Sequence, residues 1–129
     1  MKKINDIKIS KFFSMKEFKC PCCKRVMLSP ELLLKLEHLR DLVNIPIYIN
    51  SGYRCEKENN RVGGVPGSYH LCGMAADIHV QDIFLNYLLF YAQRVGFTGI
   101  GFYEKRNFLH LDVRPGSKRF WKGRELIGY

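Results

Sequence analysis

The chain has 129 residues, 47% of them hydrophobic, and carries a formal charge of +9. This length suits a single domain over residues 1–129 with a modest core, and the apolar content excludes a chain that stays disordered throughout. The charge points to a polyanionic neighbour, whether nucleic acid, acidic membrane or anionic wall polymer, without choosing among them.

The opening, "MKKINDIKISKFF", has two lysines but no apolar run of roughly 7–15 residues and no small-residue cleavage site, so it does not read as a secretory signal. The expectation is a soluble protein, made in the cytoplasm, that does not leave by that route on its own. "CPCC" follows, with Cys20, Cys22 and Cys23; Cys55 and Cys72 bring the total to five. A zinc ribbon needs a second C-x-x-C pair, and none follows. A disulfide to Cys55 or Cys72, or buried thiols, is therefore favoured over a structural metal.

"SPELLLKLEHLRDLV" opens with Ser29 as N-cap and Pro30 at the first helical position. Leu32, Leu33, Leu36, Leu39 and Val43 then recur at helical spacing, which predicts a helix of about four turns. "IPIYIN", Ile45–Asn50, alternates and reads as a strand. "SGYRCEKENNRVGG" turns into a short polar helix or loop, and Gly63, Gly64, Pro66 and Gly67 make the next stretch a loop. "AADIHV", from Ala75, is a strand, and "QDIFLNYLLFYAQRVG" a second long helix ended by Gly96. Its apolar patch from Ile83 is too short to span a bilayer and is interrupted by Asn86. "GIGFY" and "NFLHLDVR" are two further strands with a turn at Glu104–Arg106. The order predicts an α+β fold, a small, mostly antiparallel sheet with helices packed on it.

The chemistry concentrates in "GSYHLCGMAADIHV", Gly67–Val80. Zinc takes imidazole nitrogen and carboxylate oxygen, and a catalytic site keeps one position open. His70, Asp77 and His110 are the candidates. Asp77 shares a strand face with Ala75 and His79, and His110 shares one with Phe108 and Asp112. Neighbouring strands would set Asp77 beside His110, with His70 arriving from the preceding loop and Gly73 letting that loop pass close to the sheet. Any one histidine taken alone reads as an ordinary hydrogen-bonded residue. His38, on a polar helix face, reads that way, and His79 is either a partner of the site or a plain strand residue.

Ser68-x-His70-x-x-Gly73-x-Ala75-x-Asp77 resembles the S-x-H-x-x-G-x-A-x-D signature of the M15 zinc peptidases. These are the D-Ala-D-Ala carboxypeptidases and dipeptidases and the phage L-Ala-D-Glu endolysins. "INSGYR", "GVPGSYH" and "FLHLDVR" resemble further family segments in the same order, so the resemblance runs roughly from Phe13 to Arg114. It implies a hedgehog/D-Ala-D-Ala-peptidase-like fold and one zinc ion per chain held by His70, Asp77 and His110. It also implies Arg54 and Ser68 as substrate-binding residues, with Arg54 steadying the oxyanion as well. A buried carboxylate at Asp77 is then tolerable because the metal is its partner, and Ala75 and Ala76 leave room for it.

One position departs from the family pattern. Many members carry Glu or Asp three residues before the last zinc histidine, as general base; here Asn107 stands there and cannot take a proton. Asp112 is the first candidate to replace it, with an equal rival role fixing His110 or pairing Arg114; Glu104 is a further alternative. The implied protein is a monomeric zinc peptidase acting at the cell wall on D-residue-containing peptidoglycan peptides, phage-associated or released by lysis. The alternative is a zinc-bearing wall-binding module without turnover, which the amide at Asn107 would suit. Nucleic-acid binding ranks last, because the chain lacks a recognition helix and a basic patch interleaved with aromatics.

Overall fold

The computed structural model describes residues 8–123. The segment read for an export signal begins at Met1 and lies mostly outside them, as do both ends of the 1–129 domain. Helix α1 spans Pro30–Val43. Its start follows the sequence: Ser29 Oγ accepts from Leu32 N–H at 3.3 Å, a cap worth about 1 kcal/mol. It ends where Asn44 turns left-handed at φ 54°. Leu32, Leu36 and Leu39 are fully buried along one stripe.

Strand β1 covers Tyr48–Ser51, a short helix α2 Glu56–Arg61, and β2 Ala75–His79. The predicted first strand began at Ile45. Pro46 has no N–H to give a ladder, so regular pairing starts later. Helix α3 runs Leu85–Val95, one turn later than predicted, because Asp82 stands at φ 69°, a conformation an α-helix does not accept. Strands β3, Gly99–Tyr103, and β4, Phe108–Asp112, form a hairpin, and β5, Arg119–Lys122, was not anticipated. Four residues with charges at both ends carry little strand signal. The edge of β3 supplies the pairing, with Arg119 N–H donating to Thr98 O at 2.7 Å.

The sheet order is β1-β2-β4-β3-β5. Every neighbouring pair is antiparallel except β3 with β5, so the fold is the expected small α+β arrangement. The period of two along each strand gives the sheet two different faces. Ala76, Ile78, Ile100, Phe102, Leu109 and Leu111 join the leucines of α1 and Leu88 and Ala92 of α3 in one apolar cluster. The alternate positions, among them Asp77, His110 and Asp112, lie on the opposite face. Among the described residues no helix is long and apolar enough to cross a membrane.

The N-terminal segment is bound to this core through a 3-10 turn at Met15–Phe18. Glu17 closes its capping box, accepting Ser14 N–H at 2.7 Å. Phe13 and Phe18 are buried, and Phe18 O receives Tyr53 N–H at 2.9 Å.

Candidate metal centre

Asp77 on β2 is directly opposite His110 on β4. His70 comes from a 3-10 turn at Tyr69–Cys72, where Ser68 Oγ accepts His70 N–H at 3.3 Å and Gly73 ends the turn at φ 72°. Gly73 was expected to let this loop pass the sheet. Its close neighbour is instead the backbone before α1, where a Cβ would lie 2.3 Å from Met27 O. The turn brings His70 Nε2 to 3.2 Å from Asp77 Oδ1, and His110 Nδ1 reaches the same oxygen at 3.1 Å. The three donor atoms all lie within 4.8 Å of one another.

The outer nitrogens decide what the inner ones present. His70 Nδ1 is 2.7 Å from Gly52 O; a carbonyl only accepts, so Nδ1 carries the proton and Nε2 presents a lone pair. His110 Nε2 is 2.7 Å from Asp112 Oδ2, which likewise turns the Nδ1 lone pair inward. Two imidazole lone pairs and a carboxylate oxygen face one another, an arrangement that repels unless a proton or a cation stands between them. Either a proton or a divalent cation can take that place. Burial opposes charging His110, but Asp112 and Asp77 outweigh it and push its pKa up. Burial likewise opposes ionised Asp77, but His110 and His70 hold its carboxyl well below the usual carboxylate range. A divalent cation displaces such a proton and suits this donor set.

Asp112 is fully buried and both its oxygens are engaged. Besides His110 Nε2, Arg114 Nε donates to Oδ1 at 2.9 Å and Arg114 Nη2 to Oδ2 at 2.6 Å. Burial works against its charge, but His110 and Arg114 keep the carboxyl well below its ordinary range. Gly99 lies opposite in the ladder, where a Cβ would come within 2.2 Å of Asp112 Oδ1. The buried carboxylate fits only because nothing projects there.

Arg54 grips the other oxygen of the central carboxylate, Nη2 to Asp77 Oδ2 at 2.9 Å. Its Nε donates to Ser51 Oγ at 2.9 Å and Nη1 to Asn59 Oδ1 at 3.2 Å. Asn59 is itself anchored by donating to Val65 O at 3.0 Å. Beside this lies a cleft of about 480 Å³ whose lining includes Ser51, Arg54, Asp77, Arg61, Arg106 and Phe108.

The other candidates fall elsewhere. Glu104 is exposed in the β3–β4 turn and lines a different cleft, with Tyr103, Lys105 and Lys122. Asn107 ends that turn at φ 56°, a left-handed position for which asparagine is well suited; the backbone gives this residue type a reason of its own. His79 hydrogen-bonds Asn50 and stacks on Tyr48 at 5.1 Å, as a plain strand residue does. His38 is exposed on α1. Sequence reasoning passed over three participants: the Gly52 carbonyl, Asn59, and Trp121, whose ring is 5.2 Å from that of His110. A buried asparagine in a polar stretch and the chain's one tryptophan were the available signals.

Residues 11–112 match the family model described as Peptidase M15. The peptidoglycan L,D-endopeptidase MepK of Escherichia coli K12 is 33% identical over 101 residues, 73% of this chain and 54% of the relative. The Shigella flexneri protein of the same name matches equally. The probable peptidoglycan L,D-endopeptidase MepK of Haemophilus influenzae is 30% identical over 104 residues, 74% of this chain and 55% of the relative. The chain thus spans about half the length of the curated relatives it matches. By the extent of these matches, the chain belongs to the M15 peptidase family.

Proposed function

We propose that this chain hydrolyses a peptide bond next to a D-residue in bacterial peptidoglycan, using a zinc ion held by His70 Nε2, Asp77 Oδ1 and His110 Nδ1. The observation that carries this reading is the convergence of two inward-facing imidazole lone pairs on one carboxylate oxygen. When bound, zinc lowers the pKa of water and polarises a carbonyl. The relatives' name supports an endopeptidase over a carboxypeptidase. The charge of +9 suits anionic wall polymers. In this reading residues 1–129 form one domain that acts at the cell wall as a monomer.

The chain's own residues divide the remaining work. Gly52 O and Asp112 hold the two imidazoles in the required tautomers. Arg54 fixes Asp77 through Oδ2. Three of its five N–H donors are used by Ser51, Asn59 and Asp77, which leaves two for a carbonyl or carboxylate in the cleft it lines. Ser68 accepts at the turn and keeps its own hydroxyl proton to donate to substrate. Asp112 was the first candidate for general base. Its burial and its full set of partners favour the rival role, the orientation of His110.

The second reading, a zinc-bearing wall-binding module without turnover, is favoured by the same two facts: Asn107 cannot act as base and Asp112 is enclosed. Digestion of purified wall by the zinc-loaded chain, with mass spectrometry of released fragments, separates the two. Peptide release that disappears in His110→Ala supports the peptidase. Co-sedimentation with wall and no release supports the module.

A further inference from the structure

A second group of metal-ligand side chains lies outside the histidine centre. We propose that Cys20, Cys23 and Cys55, with Cys22 as fourth ligand, form a structural zinc site. Cys20 Sγ and Cys55 Sγ are 3.7 Å apart, and the Sγ atoms of Cys20, Cys23 and Cys55 all lie within 4.8 Å of one another. Four sulfurs at about 2.3 Å from zinc, on the corners of a tetrahedron, are about 3.8 Å apart. Cys22 is exposed and stands between Cys20 and Cys23 in the same loop, at the edge of the trio.

The backbone around these thiols is shaped as a ligand loop. Lys24 N–H donates to Cys20 O at 2.9 Å and Cys20 N–H to Arg25 O at 2.9 Å. Lys24 takes φ 65° to close the loop. Cys55 N–H points at Cys20 Sγ at 3.5 Å. Such a donor stabilises a thiolate. Lys57 stands two residues after Cys55, in the first turn of α2, and its positive charge offsets part of the negative charge of several thiolates on one divalent ion. Each thiol that binds gives its proton to solvent. A search for a second C-x-x-C pair misses the site, because the closing ligand is a single cysteine 35 positions along the chain. The contact of Tyr53 with Phe18 brings it there.

The site would fasten the N-terminal segment to the loop that carries Arg54. Cys55 is the N-cap of α2, and α2 carries Asn59, which holds Arg54. Cys72, exposed and bonded to Tyr69 O, stands apart.

The test uses the whole chain, loaded with zinc under reductant, and counts metal by mass spectrometry. About two equivalents per chain are expected, with about one retained in His110→Ala and about one in Cys20→Ser/Cys55→Ser. Because the double serine variant risks misfolding, the chain is also loaded with cobalt. A thiolate-to-cobalt charge-transfer band is expected in both the wild type and His110→Ala. A wild-type chain that holds one metal, lost in His110→Ala, with no such band, would overturn the thiolate site and leave the histidine centre standing. A Cys20–Cys55 disulfide in the zinc-loaded chain without reductant would also overturn it.

Discussion

The histidine centre and the cysteine cluster are assembled by opposite means. Asp77 and His110 are set by strand register, because β2 and β4 are adjacent and the ladder puts the two residues opposite one another. A slip of one residue would send both into the apolar cluster. Only His70 depends on a turn. The cysteines owe nothing to the ladder: Cys20 and Cys23 sit on an irregular loop and Cys55 at a helix start. One centre inherits the rigidity of the sheet, whereas the other would tie together segments that lie outside it. Removing a ligand should therefore cost chemistry at the first and order at the second.

The strongest break in the comparison is His110→Ala. Hydrolysis of purified wall should fall to background and bound zinc should drop by about one equivalent, with the melting transition little changed. Full zinc retention at the histidine centre would remove His110 from the ligand set.

Arg54→Lys comes next. Lysine keeps the charge but loses the fork that reaches Ser51, Asn59 and Asp77 together. The rate should fall about 10²–10³-fold in a chain that folds normally, and near-full activity would end the assigned role. Asp112→Asn sharpens the contrast between holding a ligand and moving a proton. Zinc affinity should weaken about 10–100-fold, with the rate at saturating zinc close to wild type. A loss of about 10²–10⁴ under that condition would restore Asp112 as the base.

Smaller effects test the scaffold. Gly99→Ala forces a methyl group against Asp112 and should cost about 1–3 kcal/mol of stability, read by denaturant unfolding, with weaker zinc at the histidine centre and an unchanged thiolate-cobalt band. Ser29→Ala removes the α1 cap and should cost about 1 kcal/mol, with both metal contents unaltered; a change in either would mean that α1 is coupled to the sites.

What the sequence made legible follows from period and from local chemistry. Alternation along "AADIHV" and "FLHLDV" was enough to put Asp77 and His110 on one face, and Ser29-Pro30 marked the start of α1. What it hid was mostly tertiary. The pairing of Asp112 with Arg114 was among the alternatives, but nothing in the order of residues says that Arg54 turns to Asp77. The amide at Asn107 read as a missing base until the left-handed turn supplied a backbone reason for it. Strand β5 and Trp121 were invisible because their partners are supplied by the edge of β3. Cys55 was one of two candidate partners for the CPCC cysteines, because pairing by spacing cannot choose between contacts made by distant loops; all five cysteines are free thiols, and it is Cys55 that lies beside Cys20.

The position of β4 has a kinetic consequence. It lies between β2 and β3, hydrogen-bonded on both edges, so its amides should exchange with solvent only when the whole domain opens. His70 sits on a turn of four residues, which can open at far lower free energy. An ion held by both histidines would therefore leave through the His70 side, and its residence time would follow the opening of that turn while the β4 amides stayed protected.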